Sequence, residues 1–465
     1  MKINNKLVVI IIFFLMILLS TPVSDAIVNI KTNGLKESVQ DSHPPIIIDG
    51  NDDFTSENGV TGGSGTEEDP FIIENWTIEG HGSDSDGIYI KNTDVYFIIR
   101  NCIINGFYGL SSERRGSGIS FFCVNNGRIE NVKTSKNVEG IFINKNSENI
   151  VIDNCSCGNY SSNYASGIGC SKSQYISIIE TICHNSYYGI YLNETSYVDC
   201  KMSSINDNDW GVWGIGHTKQ SIFNYSFENC EIYNNDRDGM SFYLMYLNPF
   251  NRHSGNIHIS KCEIFSNGIP LPDHWGDYGI RIEDLHDNII EDCNIYHNGA
   301  GIDLRGSTNN IIRNCSISGH YTEDGAYESG IKIWTNGLTF GYNIIGNHNE
   351  ITNCDVYKNE IGIGLIRSRT IVHKNNVFNN SIAGIWSAHF DRSSITNNNI
   401  CDNGKDESSD ASVVLQFFCI NDLRNNWWNS TEGPKIGRYK DLYFPFSLAF
   451  FRPWAKEPIS EAGVR

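Results

Sequence analysis

Six side chains in three short segments could together do chemistry: Arg281 and Glu283, Asp303 and Arg305, Lys332 and Trp334. Each pair is two residues apart, the spacing that puts both side chains on one face of a strand. Each pair also begins two residues after a glycine, at Gly279, Gly301 and Gly330. If these strands lie side by side, cations and carboxylates alternate like a checkerboard with a Trp at one corner. Such a patch is either a solvated ladder of surface ion pairs or a set of acid, base and cationic groups fit for glycosidic chemistry. In the second case Asp303, Arg281, Lys332 and Glu283 are the catalytic candidates, and Arg305 and Trp334 would hold substrate.

Two insertions border the patch. The one before Gly279 carries Asp273, His274, Trp275 and Asp277; the one before Gly330 carries His320, Glu323, Asp324 and Glu328. Long loops in a compact repeat are usually functional or disordered, so Trp275 joins the binding candidates. Nearer the N-terminus the same two rows carry Phe142, Tyr191, Trp213 and Tyr243. Exposed flat rings can stack on sugars, and outward aromatics also simply favour strands. On the first reading Tyr191, Trp213 and Tyr243 bind substrate.

What must position these residues is a repeat. Gly-Ile-type strands begin at Gly87, Gly118, Gly140, Gly167, Gly189, Gly211, Gly239, Gly279, Gly301, Gly330, Gly362 and Gly384. The shortest spacing is 22 residues, as from Gly279 to Gly301, and the others are longer. Insertions into the loops of a constant coil produce that distribution. Each unit reads as two short strands of period-two alternation bounded by Asn, Asp and Gly, with no helical pattern. One unit cannot bury its apolar side alone and needs copies above and below. The expected fold is all-β, a single parallel solenoid of about 12 to 13 coils with N- and C-terminal caps, a rod about 55 Å long at the usual strand spacing.

A second column keeps register: Cys102, Cys155, Thr181, Ser203, Cys230, Cys262, Cys293, Cys315 and Cys354, then Asn398 and Asn426. Small residues flanked by Ile, Val or Leu should point inward and stack like on like. Fourteen Cys in an exported chain would normally suggest disulfides. Parallel side chains on successive coils cannot turn toward each other as a disulfide requires, so free, buried thiols are expected.

Lys2 and Lys6 precede an apolar run over residues 7–19, with Ser24-Asp25-Ala26 following. The run is short for a spanning helix and reads as a secretory signal over residues 1–26, with an uncleaved anchor as the alternative. The divisions that follow are a linker at 27–45, an N-terminal cap and first coil at 46–86, coils at 87–424 and a terminal coil and cap at 425–465. There Phe444, Phe446, Phe450, Phe451 and Trp454 are expected to close the apolar end. The formal charge of −19 disfavours nucleic acid and anionic membrane as partners. The 13 His are scattered, with no His-x-x-x-His or Cys-x-x-Cys, so no metal site is assigned. Asp49, Asn51 and Asp53 alternate as calcium ligands do, but Phe54 stands where a calcium loop wants Gly, which favours a plain turn.

The cap Ile48-Asp49-Gly50 with residues 62–76, the Gly-Ile-x-Ile and Asn-Cys coils, and the ending Asn425-Asn426-Trp427-Trp428, Gly433-Pro434 and Pro453-Trp454 resemble NosD-like right-handed parallel β-helix proteins. These share the pectin lyase fold with carbohydrate-binding and sugar-hydrolase β-helices. The resemblance implies a right-handed coil over residues 46–454, and it raises copper association. It does not imply one activity. Polygalacturonases order Asn-Thr-Asp, paired Asp, Gly-His-Gly and Arg-Ile-Lys along neighbouring coils; here Asp52-Asp53, Gly80-His81-Gly82 and Asn92-Thr93-Asp94 stand in another order, bunched at the cap. The expectation is a secreted or cell-surface monomer that binds an extended polysaccharide or cell-surface glycan. Cleavage, by a glycoside hydrolase or polysaccharide lyase, stays open beside a non-catalytic adhesion role and a NosD-type accessory role in metal handling.

Overall fold

Each coil turns three corners, because the second strand read from sequence is split by a bend. In the coil headed by Gly279 the strands are Tyr278–Glu283, Ile289–Glu291 and Asn294–Tyr296, and Asp292 sits at the break with φ of 55°. The equivalent residues from Asn101 to Asn397, among them Glu180, Met202 and Lys261, have φ between 46° and 58°. A left-handed residue turns the chain sharply, and Asn, the commonest occupant, tolerates it best. The computed structural model describes residues 41–109, 116–158, 165–217, 221, 223–245, 255–268, 277–320, 329–334, 348–404, 412–437, 440–444 and 446–464.

The coils stack into three long sheets. Sheet 1 holds the Gly-Ile units in 15 strands, sheet 2 follows it in each coil with 16, and sheet 3 completes the coil with 14. Sheet 1 contains the twelve expected strands, preceded by Ile46–Asp49 and followed by Val413–Gln416 and Leu442–Tyr443. Among the described residues every strand pairing is parallel except Val60–Gly62 with Phe71–Glu74 in the cap. The chain is a single parallel β-helix. Pairing begins at Asp41–Ser42, against Trp76 and Thr77, inside the stretch read as linker.

Alternate residues fill the interior. Ile280, Ile282, Ile302, Leu304, Ile331 and Ile333 are at most 1% exposed and stack Ile on Ile from coil to coil. Burial of apolar area at about 25 cal/mol per Å² is the main stabilising term. The corners are polar and carry ladders of hydrogen bonds. Asn208, Asn235, Asn267 and Asn298 form one inner ladder, each amide oxygen accepting the backbone N–H of the coil before it. Asn359, Asn380 and Asn403 continue that ladder, and Asn375, Asn398 and Asn426 form a second.

The cysteine column lies inward as expected, and none of the 14 Cys is joined in a disulfide. Cys200 and Cys230 approach to 3.9 Å between sulfurs, well beyond a bond. Burial pushes the Cys102 thiol up to about 11 and the Cys157 thiol to about 12.

At the N-terminal end Phe54 is buried and stacks on Phe71 at 4.8 Å. Asp49 pairs with Lys91, Asn51 donates to Asp94, and Asp53 accepts the Asp49 N–H, so the three side chains weighed as calcium ligands are taken up by the turn. At the other end Phe444, Phe451 and Trp454 pack on the core, but Phe446 and Phe450 do not close it: they are 84% and 57% exposed. No helix among the described residues is long and apolar enough to cross a membrane. The apolar run at residues 7–19 lies outside the described residues.

Candidate functional site

The two outward rows of sheet 1 form as read. Trp213 pairs with Ser241, Ser241 with Arg281, Arg281 with Asp303 and Asp303 with Lys332; in the neighbouring row Tyr243, Glu283, Arg305 and Trp334 succeed one another. Parallel in-register strands bring the six checkerboard residues together from three coils.

The patch is not a solvated ladder. The Asp303 side chain has zero exposure, and those of Arg281, Glu283 and Arg305 retain 20–22%. The solvated ladder is on sheet 2, where Arg128 pairs with Asp153, Lys261 with Glu228, and both His258 and Arg313 with Glu291. Alternation tells which side of a strand a residue leaves from; it does not tell what covers that side.

Within the patch, the Trp334 indole N–H donates to Asp303 Oδ1 at 2.7 Å. The Arg305 guanidinium lies 4.2 Å from the Trp334 ring centroid and reaches both Glu283 (3.5 Å) and Asp303 Oδ2 (3.6 Å). Arg281 Nη2 donates to Glu283 at 3.1 Å. Burial raises the Asp303 carboxyl above its ordinary value, against the pull of Lys332, Arg305 and Arg281. Lys332 has no carboxylate within ion-pair range among the described residues and stands 5.6 Å from the Trp334 ring. Three buried polar atoms here lack a hydrogen bond: Arg281 Nε, Arg305 Nε and Asp303 Oδ2. Such atoms are rare in native proteins because each costs about 1–3 kcal/mol unless a water or ligand completes it.

Sequence reasoning missed Asp238. It is fully buried one coil below Arg281, accepts from Ser241 Oγ and from the Tyr278 N–H, and burial lifts its carboxyl to about 7. A signal existed: Asp86, Glu139 and Asp238 each directly precede a repeat glycine, and each accepts the backbone N–H of Ser117, Ser166 or Tyr278 on the next coil.

The aromatic region also differs from an open platform. Phe142 is 4% exposed and cannot serve as a sugar-stacking face. Tyr191, Trp213 and Tyr243 are half-buried and pack on one another and on Tyr188 and Trp210: Tyr188–Tyr191 centroids are 5.0 Å apart, Trp210–Trp213 4.2 Å and Trp213–Tyr243 4.8 Å. They form an aromatic wall, edge-to-face except for the stacked Tyr188–Tyr191 pair, beginning one coil from the charged patch.

His320 does not border the patch. It is 1% exposed, occupies the ladder place between Asn298 and Asn359, and accepts the Asn298 N–H at Nδ1. Burial holds its imidazole down to about 4. Asp273, His274, Trp275, Glu323, Asp324 and Glu328 lie outside the described residues.

Comparison with known proteins agrees with this architecture. The model of the family described as "Periplasmic copper-binding protein (NosD)" matches residues 46–244, and that of "Right handed beta helix region" matches 250–406. The chain is a right-handed parallel β-helix protein whose N-terminal coils are NosD-like. No curated protein sequence matches it. Solved structures that match this β-helix chain include the A-module of the Azotobacter vinelandii mannuronan C-5 epimerase AlgE6, at 11% identity over 88% of this chain and 90% of that one, with a TM-score of 0.41. The periplasmic alginate epimerase AlgG matches at 14% identity over 82% and 84%, TM-score 0.42, and the pectate lyase Pel9A at 12% over 72% and 76%, TM-score 0.30. At those values the likenesses say nothing of the reaction.

The family name raises copper, and the described residues do not fit it. No three His, Cys, Asp or Glu side chains converge among them. Twelve of the 14 Cys are buried in the coil, with thiols such as Cys157 pushed up by burial, away from the thiolate a metal requires. His258 and His373 are engaged by Glu291 and Glu350.

Proposed function

We propose that this protein works outside the cytoplasm and binds an extended polysaccharide along the outer face of sheet 1, from the Tyr191–Trp213–Tyr243 wall to the Arg281–Trp334 patch. The observation that carries this reading is the group of three buried polar atoms with no hydrogen bond among the described residues, Arg281 Nε, Arg305 Nε and Asp303 Oδ2, gathered on adjacent coils. Three such atoms together make a place prepared for hydrogen-bonding groups that the described residues do not supply. Elsewhere among the described residues such atoms, for example Asn193 Oδ1, Asn353 Oδ1 and Trp428 Nε1, are scattered along the rod rather than gathered on adjacent coils.

In this reading Glu283, Lys332 and Trp334, all partly exposed, meet the ligand. Asp303 positions Trp334 and Arg305 from beneath. The two sites lie on successive coils, so one linear chain can run parallel to the rod and meet both. Six coils from Tyr191 to Lys332 span roughly 24 Å at the spacing of parallel strands.

A glycan array on the whole protein, followed by reducing-end assays on every hit, tests the proposal. Expected is binding of one class of linear glycan that Trp334→Ala and Trp213→Ala each weaken. Retained affinity in both variants would sink it. Turnover of a hit that disappears in Asp303→Asn, with affinity and fold intact, would add catalysis to binding.

A further inference from the structure

The two ends of sheet 2 are built differently from its middle. Its last strand, Leu448–Phe450, pairs on one side only, with Ile420–Asp422. Leu448 N donates to Cys419 and Phe450 O accepts from Leu423, so by alternation the polar groups of Ala449 face the unpaired edge. Leu448, Phe450, Phe446 and Phe418 around it are 59%, 57%, 84% and 61% exposed, an unusual concentration of apolar surface. A cavity of about 580 Å³ beside the strand is lined by Asp422, Arg424, Ala449, Phe450, Phe451 and Arg452. Arg452 lies over the rings of Phe451 and Trp454 and has no carboxylate partner among the described residues. Exposed, unpaired edges invite another strand unless something blocks them.

The opposite end of the same sheet begins with Val60–Gly62, paired only with Phe71–Glu74. Around it Glu57, Glu67, Glu68 and Asp69 are exposed. From Ile46 to Ile90 the chain has eleven carboxylates and no Lys or Arg. From Asp422 to Glu457 it has six Lys or Arg against four carboxylates, one of which, Asp422, pairs with Arg424; Arg438 lies outside the described residues. Among the described residues one end of the rod is therefore acidic and the other apolar with an excess of cations, and the sheet is unpaired at both.

We propose that copies of this chain join head to tail, Leu448–Phe450 of one docking on Val60–Gly62 of the next, so that sheet 2 continues through the junction. The charges fit that orientation: the basic end meets the acidic cap, while like ends repel. A heterologous contact of this kind repeats and makes short filaments rather than a closed dimer. This departs from the monomer expected from sequence and is independent of the glycan reading.

Sedimentation velocity of the full chain across rising concentration is the test. Expected is a weight-average mass that climbs with concentration and falls with added salt. Arg452→Glu and Glu68→Lys should each weaken association by about tenfold, and a mixture of the two single variants should restore a paired species, since each then offers the complement the other needs. Ala449→Pro removes an outward N–H from an edge strand, where Pro is tolerated, and should leave circular dichroism unchanged while abolishing assembly. A constant single-chain mass would overturn the proposal, as would charge reversals without effect. Binding of neutral lipid vesicles by a chain that stays monomeric would instead assign the apolar end to a membrane and overturn it too.

Discussion

The indole N–H of Trp334 and Oδ1 of Asp303 meet at 2.7 Å across two adjacent coils. That bond holds a large ring over a carboxylate that three cations, Lys332, Arg305 and Arg281, also face. A charge with no exposure is kept ionisable only by such company.

Replacing Asp303 therefore separates two effects. Asp303→Ala leaves the three cations without their common counter-charge and should cost about 3–5 kcal/mol. Asp303→Asn keeps an acceptor for Trp334 and should cost less. Urea unfolding should rank the midpoints wild type, Asn, Ala; coincident midpoints would mean the cluster does not contribute to stability.

His320 predicts an acid weakness. Its imidazole sits near 4 in the fold against an ordinary value of 6.5. Between those values the unfolded chain binds a proton that the native one refuses, so stability is lost as pH falls from about 6.5 toward 4. His320→Asn puts into the ladder the side chain used at Asn298 and Asn359. At pH 5 the variant should be more stable than wild type by on the order of 2 kcal/mol, and at pH 8 the gap should shrink. A difference independent of pH would refute the assignment.

Asp238 acts in the opposite direction. Its folded value near 7 lies above the ordinary 3.8, so the native state holds a proton that the unfolded chain releases. Stability then declines as pH rises from about 4 to about 7. Asp238→Asn, which keeps an acceptor for Ser241 or Tyr278, should flatten that limb of a thermal-melting pH profile. Asp303 and Asp391, raised for the same reason, slope the same way.

Thiol chemistry checks the column. In native buffer without reductant only the half-buried Cys123 and Cys401 should react with an aromatic disulfide reagent. In denaturant all 14 should titrate. A shortfall in denaturant would reveal disulfides.

The rows of sheet 1 could be read because a parallel coil repeats its register: Arg281, Asp303 and Lys332 had to be neighbours once Gly279, Gly301 and Gly330 were equivalent. What lies above a row could not be read the same way, so Asp303 and Phe142, both taken as outward, emerge buried. The third strand per coil was hidden because Asp292, Glu180 and Lys261 take the left-handed conformation without the glycine that usually announces it. His320 was misplaced although its column was legible, since Asn298 and Asn359 stand at the same point of the coils on either side. Phe446 and Phe450 look like lid residues in any hydrophobicity pattern, and only packing shows them facing out.

The constant register makes the rod a ruler with fixed graduations. The strands that follow the insertions before Gly279 and Gly330 pair in register with the coil below, so the step between strands is unaltered. The distance from Trp213 to Asp303 is thus set in whole coils, about 4.8 Å each, and removing one 22-residue coil would shorten it by one graduation. A chain of this kind changes reach by counting, while the chemistry at each mark stays the same.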